Sequence, residues 1–304
     1  MKSTSFATVM LIAIFILPCN IHAQDLEPRA YSPSPVGTSF LVVGFGRSSG
    51  GVVTDPTIPI TDVHATVYTP FTGVGHTFGL FGRQTLVTAA LPYAWGKVTG
   101  EVGEEEGEVT RSGLADTSLK FAINLHGSPA QSFAEFARTP HKSFILASSL
   151  SISAPSGQYD GTKLINLGTN RWAIKPEIGF SYPAKKFYFD VYLAAASFTE
   201  NTQFYPGQSI RKQDILASVQ GHVSYTVRRG MWMAFDSTWF GGGAVHINGG
   251  PATGRLDNSR IGATMSAPIG KWQSVKASYS SGVSERVGTN FRTVSVGWQY
   301  VWPH

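Results

Sequence analysis

A period of two constrains this chain more than any other feature. In LADTSLKFAINL (114–125), Leu119, Phe121, Ile123 and Leu125 fall on one face, with Ser118, Lys120, Ala122 and Asn124 on the other. ILASVQGHVSYT (215–226) sets Ala217, Val219, Val223 and Tyr225 against Leu216, Ser218, Gln220, His222 and Ser224. RIGATMSAPI (260–269) sets Ile261, Ala263, Met265, Ala267 and Ile269 against Arg260, Gly262, Thr264 and Ser266. Such alternation marks a strand with one apolar and one polar face. About twelve segments read this way: 37–47, 62–78, 83–96, 114–126, 143–154, 171–182, 187–198, 213–227, 231–240, 258–269, 273–281 and 291–302. Most approach the roughly 9–11 residues that a tilted strand needs to cross a bilayer.

The connections alternate in length. Short ones are GLFGRQ (79–84), PAKK (183–186), RRG (228–230) and GKW (270–272); longer ones cover 48–61, 97–113, 155–170, 199–212, 241–257 and 282–290. One exception, 127–142, is a long connection on the short-turn side with room for a short helix. Short turns at one rim and long loops at the other predict an all-β fold, a transmembrane antiparallel up-and-down barrel of about twelve strands. A β-sandwich or a soluble barrel also has alternating strands. Their polar faces meet solvent and tolerate many charges, whereas only 14% of this chain is charged and its polar faces are mostly Ser, Thr, Gly, Ala and Asn. That composition suits a crowded lumen. Aromatics gather near strand ends (Tyr93, Trp95, Trp172, Tyr182, Trp232, Trp239), as interfacial girdles require. The last strand, VSVGWQYVW (294–302), places Val294, Val296, Trp298, Tyr300 and Trp302 on one face. It resembles the C-terminal signal read by the barrel-assembly machinery, although Pro303 and His304 follow where such chains commonly stop at the aromatic.

Residues 1–23 read as a cleavable signal peptide: Lys2, an apolar run around MLIAIFILP (10–18), and cleavage after Ala23. The run is too short for a membrane span of about 20 residues. Cys19 is the only cysteine, so the mature chain has no disulfide or thiolate metal site. The expected organisation is signal 1–23, a Pro-rich periplasmic or plug segment 24–36, and a barrel over 37–302. The net charge of +5 is scattered, and no basic-aromatic motif points to nucleic acid. Outer-membrane lipid and lipopolysaccharide are the expected surroundings.

RWAIKPEIGFSYP (171–183) fixes one strand's phase. A helix would carry Pro176 in its interior at a cost of about 3 kcal/mol. A strand turns Trp172, Ile174, Pro176, Ile178, Phe180 and Tyr182 to lipid and Ala173, Lys175, Glu177, Gly179 and Ser181 inward. The opposite phase would put Lys175 in hydrocarbon at roughly 2–4 kcal/mol. Pro176 lacks a ladder donor, and a barrel has no edge to hide it. A bulge or a locally broken ladder is expected there.

GLADTSLKFAI (113–123), SAPSGQYD (153–160), NLGTNRWAIKPEIGFSY (166–182) and FTEN (198–201) resemble, in order and spacing, the phenol-degradation MetA-pathway family. The likeness runs from about Leu26 to Trp302. It implies a Gram-negative outer-membrane barrel, transporter-like, passing small hydrophobic or aromatic molecules inward, and it supplies no catalytic residues.

No G-x-S-x-G elbow or H-E-x-x-H motif occurs, and the histidines (His64, His76, His126, His141, His222, His246) lack metal-ligand spacing. No enzyme, metal or cofactor is expected. A relay of His222 with Asp214, Asp236 or Ser224 is conceivable on neighbouring strands, but a polar lumen residue is the simpler reading. GFGRSSGG (44–51) lacks the helix and the Lys-Ser/Thr ending of a phosphate loop. GEVGEEEGE (100–108) holds Glu101, Glu104, Glu105, Glu106 and Glu108 and suggests a weak extracellular cation site or a solvated acidic loop. Lys120, Lys175, Glu177, Asp190, Asp214, His222, Asp236, Arg260 and Lys276 fall opposite the apolar phase and are the expected lumen-lining residues. The function these features favour is diffusion of small hydrophobic or aromatic molecules through a charge-lined lumen. The alternatives are a closed structural or adhesive barrel and a membrane-embedded hydrolase.

Overall fold

The structure, a computed structural model, describes residues 26–53, 61–102, 105–139 and 143–303. The signal-peptide segment 1–23 lies outside these residues. In chain order the strands are β1 (Thr38–Val53), β2 (Thr61–Leu80), β3 (Arg83–Val102), β4 (Glu105–Leu114), β5 (Ser118–His126), β6 (Ile145–Ser153), β7 (Ala173–Ala184) and β8 (Phe187–Phe198). There follow β9 (Asn201–Phe204), β10 (Ser209–Gln213), β11 (Leu216–Arg228), β12 (Met231–Gly242), β13 (Val245–Ile247), β14 (Leu256–Pro268), β15 (Gln273–Ser284) and β16 (Gly288–Pro303). β4 and β5 form one broken strand along β3, and β9, β10 and β13 make a separate small sheet. The remaining elements close an antiparallel barrel of 12 strands, sealed where β1 pairs with β16 from Thr38↔Pro303 to Val53↔Gly288.

The expected faces are the observed ones on these strands, but Trp232, expected in an interfacial girdle, turns inward in phase with Asp236 and lies under the Arg29 guanidinium. Leu119, Phe121 and Leu125, like Ile174, Ile178, Phe180 and Tyr182, are exposed on the outer wall, while Glu177 and Ser181 between them are buried. Ile178 is 49% exposed and Glu177 only 3%, so the phase of RWAIKPEIGFSYP is the one that keeps its charges out of lipid. The β7–β8 ladder is interrupted at Pro176. The flanking pairs Ile174↔Ser197 and Glu177↔Ala194 advance equally on both strands, so no residue is inserted. The result is a local break, not a bulge. Pro176→Val supplies the missing donor on a lipid-facing position. We expect it to raise stability by about 1 kcal/mol, seen as a higher urea midpoint for the folded band on cold gels. An unchanged or lower midpoint would show that the break is filled some other way.

Short turns close one rim. Phe81 and Gly82, both left-handed, form a two-residue hairpin loop whose twist suits the strands it joins. The 127–144 connection carries the expected short helix, α1 (Phe133–Arg138). Ser132 caps it, accepting from Glu135 N while the Glu135 carboxylate accepts from Ser132 N, and this bonding holds the Glu135 carboxyl below its ordinary value.

The other rim differs from expectation. The predicted loops 97–113 and 282–290, and the described residues 48–53 and 61 of the loop 48–61, are largely strand: β1, β2 and β3 run 16, 20 and 20 residues, well beyond the span. Above the lipid neither face has to be apolar, so the ladder continues after the alternation that reveals it has ended. Three connections are long: 154–172, 199–215 and 243–255.

Candidate functional site: the barrel lumen

The polar faces of the strands build the interior, but the residues that organise it come from the segment before β1. Residues 26–37 lie inside the barrel. Leu26 rests against Gly262 of β14, where a Cβ would collide with it. Glu27 accepts from Lys120 Nζ at 2.6 Å. Arg29 donates through its backbone N–H to Asp190 at 3.2 Å and through Nη2 to Thr226 at 2.7 Å, its guanidinium lying over the Trp232 ring. Tyr31 donates to Glu177 Oε1 at 2.6 Å and meets Ser149 at 2.9 Å. Its ring lies flat on Gly179, a position that only glycine leaves clear. Ser34 and Gln84 exchange two bonds near the short-turn rim.

Lys120, Lys175 and Glu177 meet here. Glu177 lies 3.8 Å from Lys120 and 4.0 Å from Lys175. β6 runs between their strands, and its inward Ser149 and Ser151 are small enough to let the long side chains reach across. Although 44% of the Glu27 side chain is open, it opens onto the lumen. Lys120 chiefly, with Lys175 and Lys276 adding, holds its carboxyl well below the carboxylate range against the opposing effect of burial. The stability from this pair is therefore fully present above the ordinary carboxylate pKa and is lost progressively as the pH falls from there into strong acid. Lys276 lies in the inward phase of β15, opposite Ser266 and Gly297.

Asp190 accepts from Ser181 Oγ at 2.6 Å. His222 Nδ1 and Asp236 Oδ1 are 2.8 Å apart, fully buried, and Thr264 donates to the other Asp236 oxygen at 2.7 Å. Neither His222 Nε2 nor the buried Ser224 Oγ makes a hydrogen bond, so the His222–Asp236–Ser224 relay is not formed. Arg260 donates to Ser280 Oγ and to the Phe291 carbonyl. Asp214 is elsewhere. β11 begins at Leu216, and Asp214 belongs to the link from the small sheet, 3.5 Å from His246 with its side chain largely exposed. A strand read as starting at 213 had merged β10 with β11.

The acidic stretch is a hairpin, not a loop. Glu101 pairs with Glu106, Thr99 with Glu108, and Glu108 bridges to Lys97 at 2.7 Å. Glu104 lies outside the described residues. Among those described, no group of three His, Cys, Asp or Glu could hold a metal ion.

The motifs that carry the family likeness converge on a roof. Asp116 accepts from Gly157 N and Thr169 N, each at 2.9 Å, and from the Thr169 hydroxyl. Gly157 and Gly168 meet backbone to backbone. The 154–172 loop is thereby folded over the barrel mouth, where Arg111 Nε donates to the Ile165 carbonyl at 2.9 Å. Beside it, burial pushes Arg171 and Arg211 below the ordinary arginine value, Arg211 to about 10.

The lumen holds an upper and a lower cavity. The upper one, about 220 Å³ under the roof, is bounded mainly by apolar groups such as Val67, Phe71, Val98, Leu167 and Phe291, with Arg111 at its side. The lower one, about 280 Å³, lies between residues 30–35 and a wall that includes Phe40, Leu86, Trp272 and Val301. Phe40, Phe71, Asp116 and the contacts of Glu27, Arg29 and Tyr31 were not singled out in the sequence. The signals available were two phenylalanines in the polar phase of their strands and a charged, Pro-rich leader.

The fold resembles that of an outer membrane channel from Pseudomonas putida F1, with TM-score 0.75 and 19% identity over 91% of this chain and 100% of that one. It also resembles the transport unit of the Escherichia coli autotransporter AIDA-I (TM-score 0.53, 12% identity, 98% of this chain and 96% of that one). The β domain of the Bordetella autotransporter BrkA follows (TM-score 0.51, 13% identity, 87% and 99%). No curated protein sequence matches the chain. A family model matches residues 44–300, and the chain belongs to that family, described as "Putative MetA-pathway of phenol degradation".

Proposed function

We propose that the barrel is a diffusion channel carrying small hydrophobic or single-ring aromatic molecules across the outer membrane. The observation that carries this reading is the upper cavity: about 220 Å³, walled mostly by apolar surface with Arg111 and Arg260 among its lining, and set inside the barrel. An apolar cavity of about 150 Å³ holds benzene, so one substituted ring fits here. The channel description of the Pseudomonas putida structure supports the class of function. On this reading residues 1–23 are a cleaved export signal, strand 294–302 is offered to the assembly machinery, and lipopolysaccharide surrounds the outer leaflet. No catalytic role is proposed.

The test is uptake by proteoliposomes. A phenol should enter faster than a polar solute of equal size, and the difference should vanish in protein-free vesicles. Equal rates for both solutes would sink the selectivity, and no uptake of either would favour the closed barrel. That second reading has its own observation, the many bonds fixing residues 26–37 across the lumen.

A further inference from the structure

The two cavities are separated on one wall by little more than two aromatic rings. Phe71 folds over its cross-strand partner Gly44, and Phe40 over its partner Gly75; a Cβ at either glycine would collide with the ring. Gly44 also pairs with Gly297 on β16, and the Phe71 ring reaches within 3.9 Å of the Cβ position there. Gly73 lies in the same inward phase of β2, so this stretch of wall, shared by β1, β2 and β16, holds four glycines, with Val42 and Gln299 between the two rings. Phe71 borders the upper cavity and Phe40 the lower. The N-terminal segment, by contrast, takes its charged and tyrosine contacts from β5, β6, β7, β8 and β11.

We propose that Phe71 and Phe40 are the selectivity-determining gate of a path that follows the β1–β2–β16 wall while the N-terminal segment stays in place. The proposal rests on the channel reading above and says where the channel runs. A ring lying on glycine has a flat surface beneath it and lumen above. Swinging off the glycine exposes an apolar slot, the kind of constriction that excludes water and polar solutes until an apolar molecule wets it. A flat aromatic molecule is the permeant that can replace the ring face to face.

The bland account is that each ring only shields a strand glycine, the pairing known as aromatic rescue. The two accounts differ in whether the variants change conductance. In planar bilayers, Phe71→Ala and Phe40→Ala should each raise unitary conductance several-fold. Gly44→Ala, whose methyl fills the slot beneath the Phe71 ring, should lower it. Under pure shielding all three variants lose stability and none changes the conductance of channels that do fold. Folded protein is selected by its mobility on cold gels, and Phe71→Trp, which keeps the shield and enlarges the ring, should lower conductance without loss of folding. Unchanged conductance in all four variants, with a variant lacking residues 26–35 conducting freely, would overturn the gate while sparing the channel. Silence in every variant, the deletion included, would overturn both.

Discussion

Deleting residues 26–35 is expected to raise unitary conductance several-fold and to make the open channel anion-selective. The barrel's own ladder is complete without this segment, since β1 begins at Thr38 and pairs on both sides. Val36 N–H to the Gln131 carbonyl and Gly37 N–H to the Thr77 carbonyl still anchor the strand's start. Assembly should therefore survive. A twelve-stranded barrel is wider than the eight-stranded kind that side chains can fill, so removing the segment leaves a continuous aqueous lumen. The positive excess at its narrow level grows. Glu27 leaves, and Lys120, Lys175 and Lys276 then face Glu177 alone, with Arg29 gone from the lower level. Reversal potentials across a KCl gradient report the preference. It should weaken at about 1 M salt, where the screening length falls to about 3 Å. A deletion variant that conducts like the intact protein, or that prefers cations, would refute this account of residues 26–35.

The parts of the fold legible in the sequence are those on which lipid acts. Each membrane-crossing strand must show an apolar face, so LADTSLKFAINL or VSVGWQYVW declares both its existence and its phase. Above the lipid that demand ends. Residues 97–102 and 105–112 continue the β3–β4 ladder with Glu101 opposite Glu106, and no periodicity marks them as strand. Asp214 fails for a related reason: Gln213 is strand, but of a different sheet. The inward phase was legible for Glu177 and Lys120, because placing either in hydrocarbon is costly. Their meeting with Glu27 and Tyr31 was not. Those contacts join a leader without periodicity to strands about a hundred residues away. Phe40 and Phe71 were visible as aromatics in a polar phase. Their purpose depends on Gly75 and Gly44 across the strand pair, and register is not written in either strand alone.

Asp236→Ala should destabilise the barrel by about 2–5 kcal/mol and leave its conductance unchanged. Asp236 is fully buried and accepts from both His222 and Thr264. Removing it strands two polar groups where water does not reach, each costing about 1–3 kcal/mol. Asp236→Asn keeps an oxygen for His222 and presents an amide to the Thr264 hydroxyl, which can accept, so most of the loss should be recovered. Urea unfolding in detergent micelles, followed by the mobility of the folded band, measures both variants. A loss under 1 kcal/mol for the alanine variant would mean that the pair is hydrated. The conductance half of the prediction follows from geometry. His222, Asp236 and Thr264 occupy the β11–β12–β14 wall, with Tyr192 against the His222 ring, and none of them borders either cavity. That side of the lumen is packed with hydrogen-bonded polar side chains, whereas the β1–β2–β16 side carries Phe40 and Phe71 over glycines. If Asp236→Ala altered permeation as much as stability, the path would have to run through the packed side, and the division of the lumen into a bracing wall and a conducting wall would be wrong.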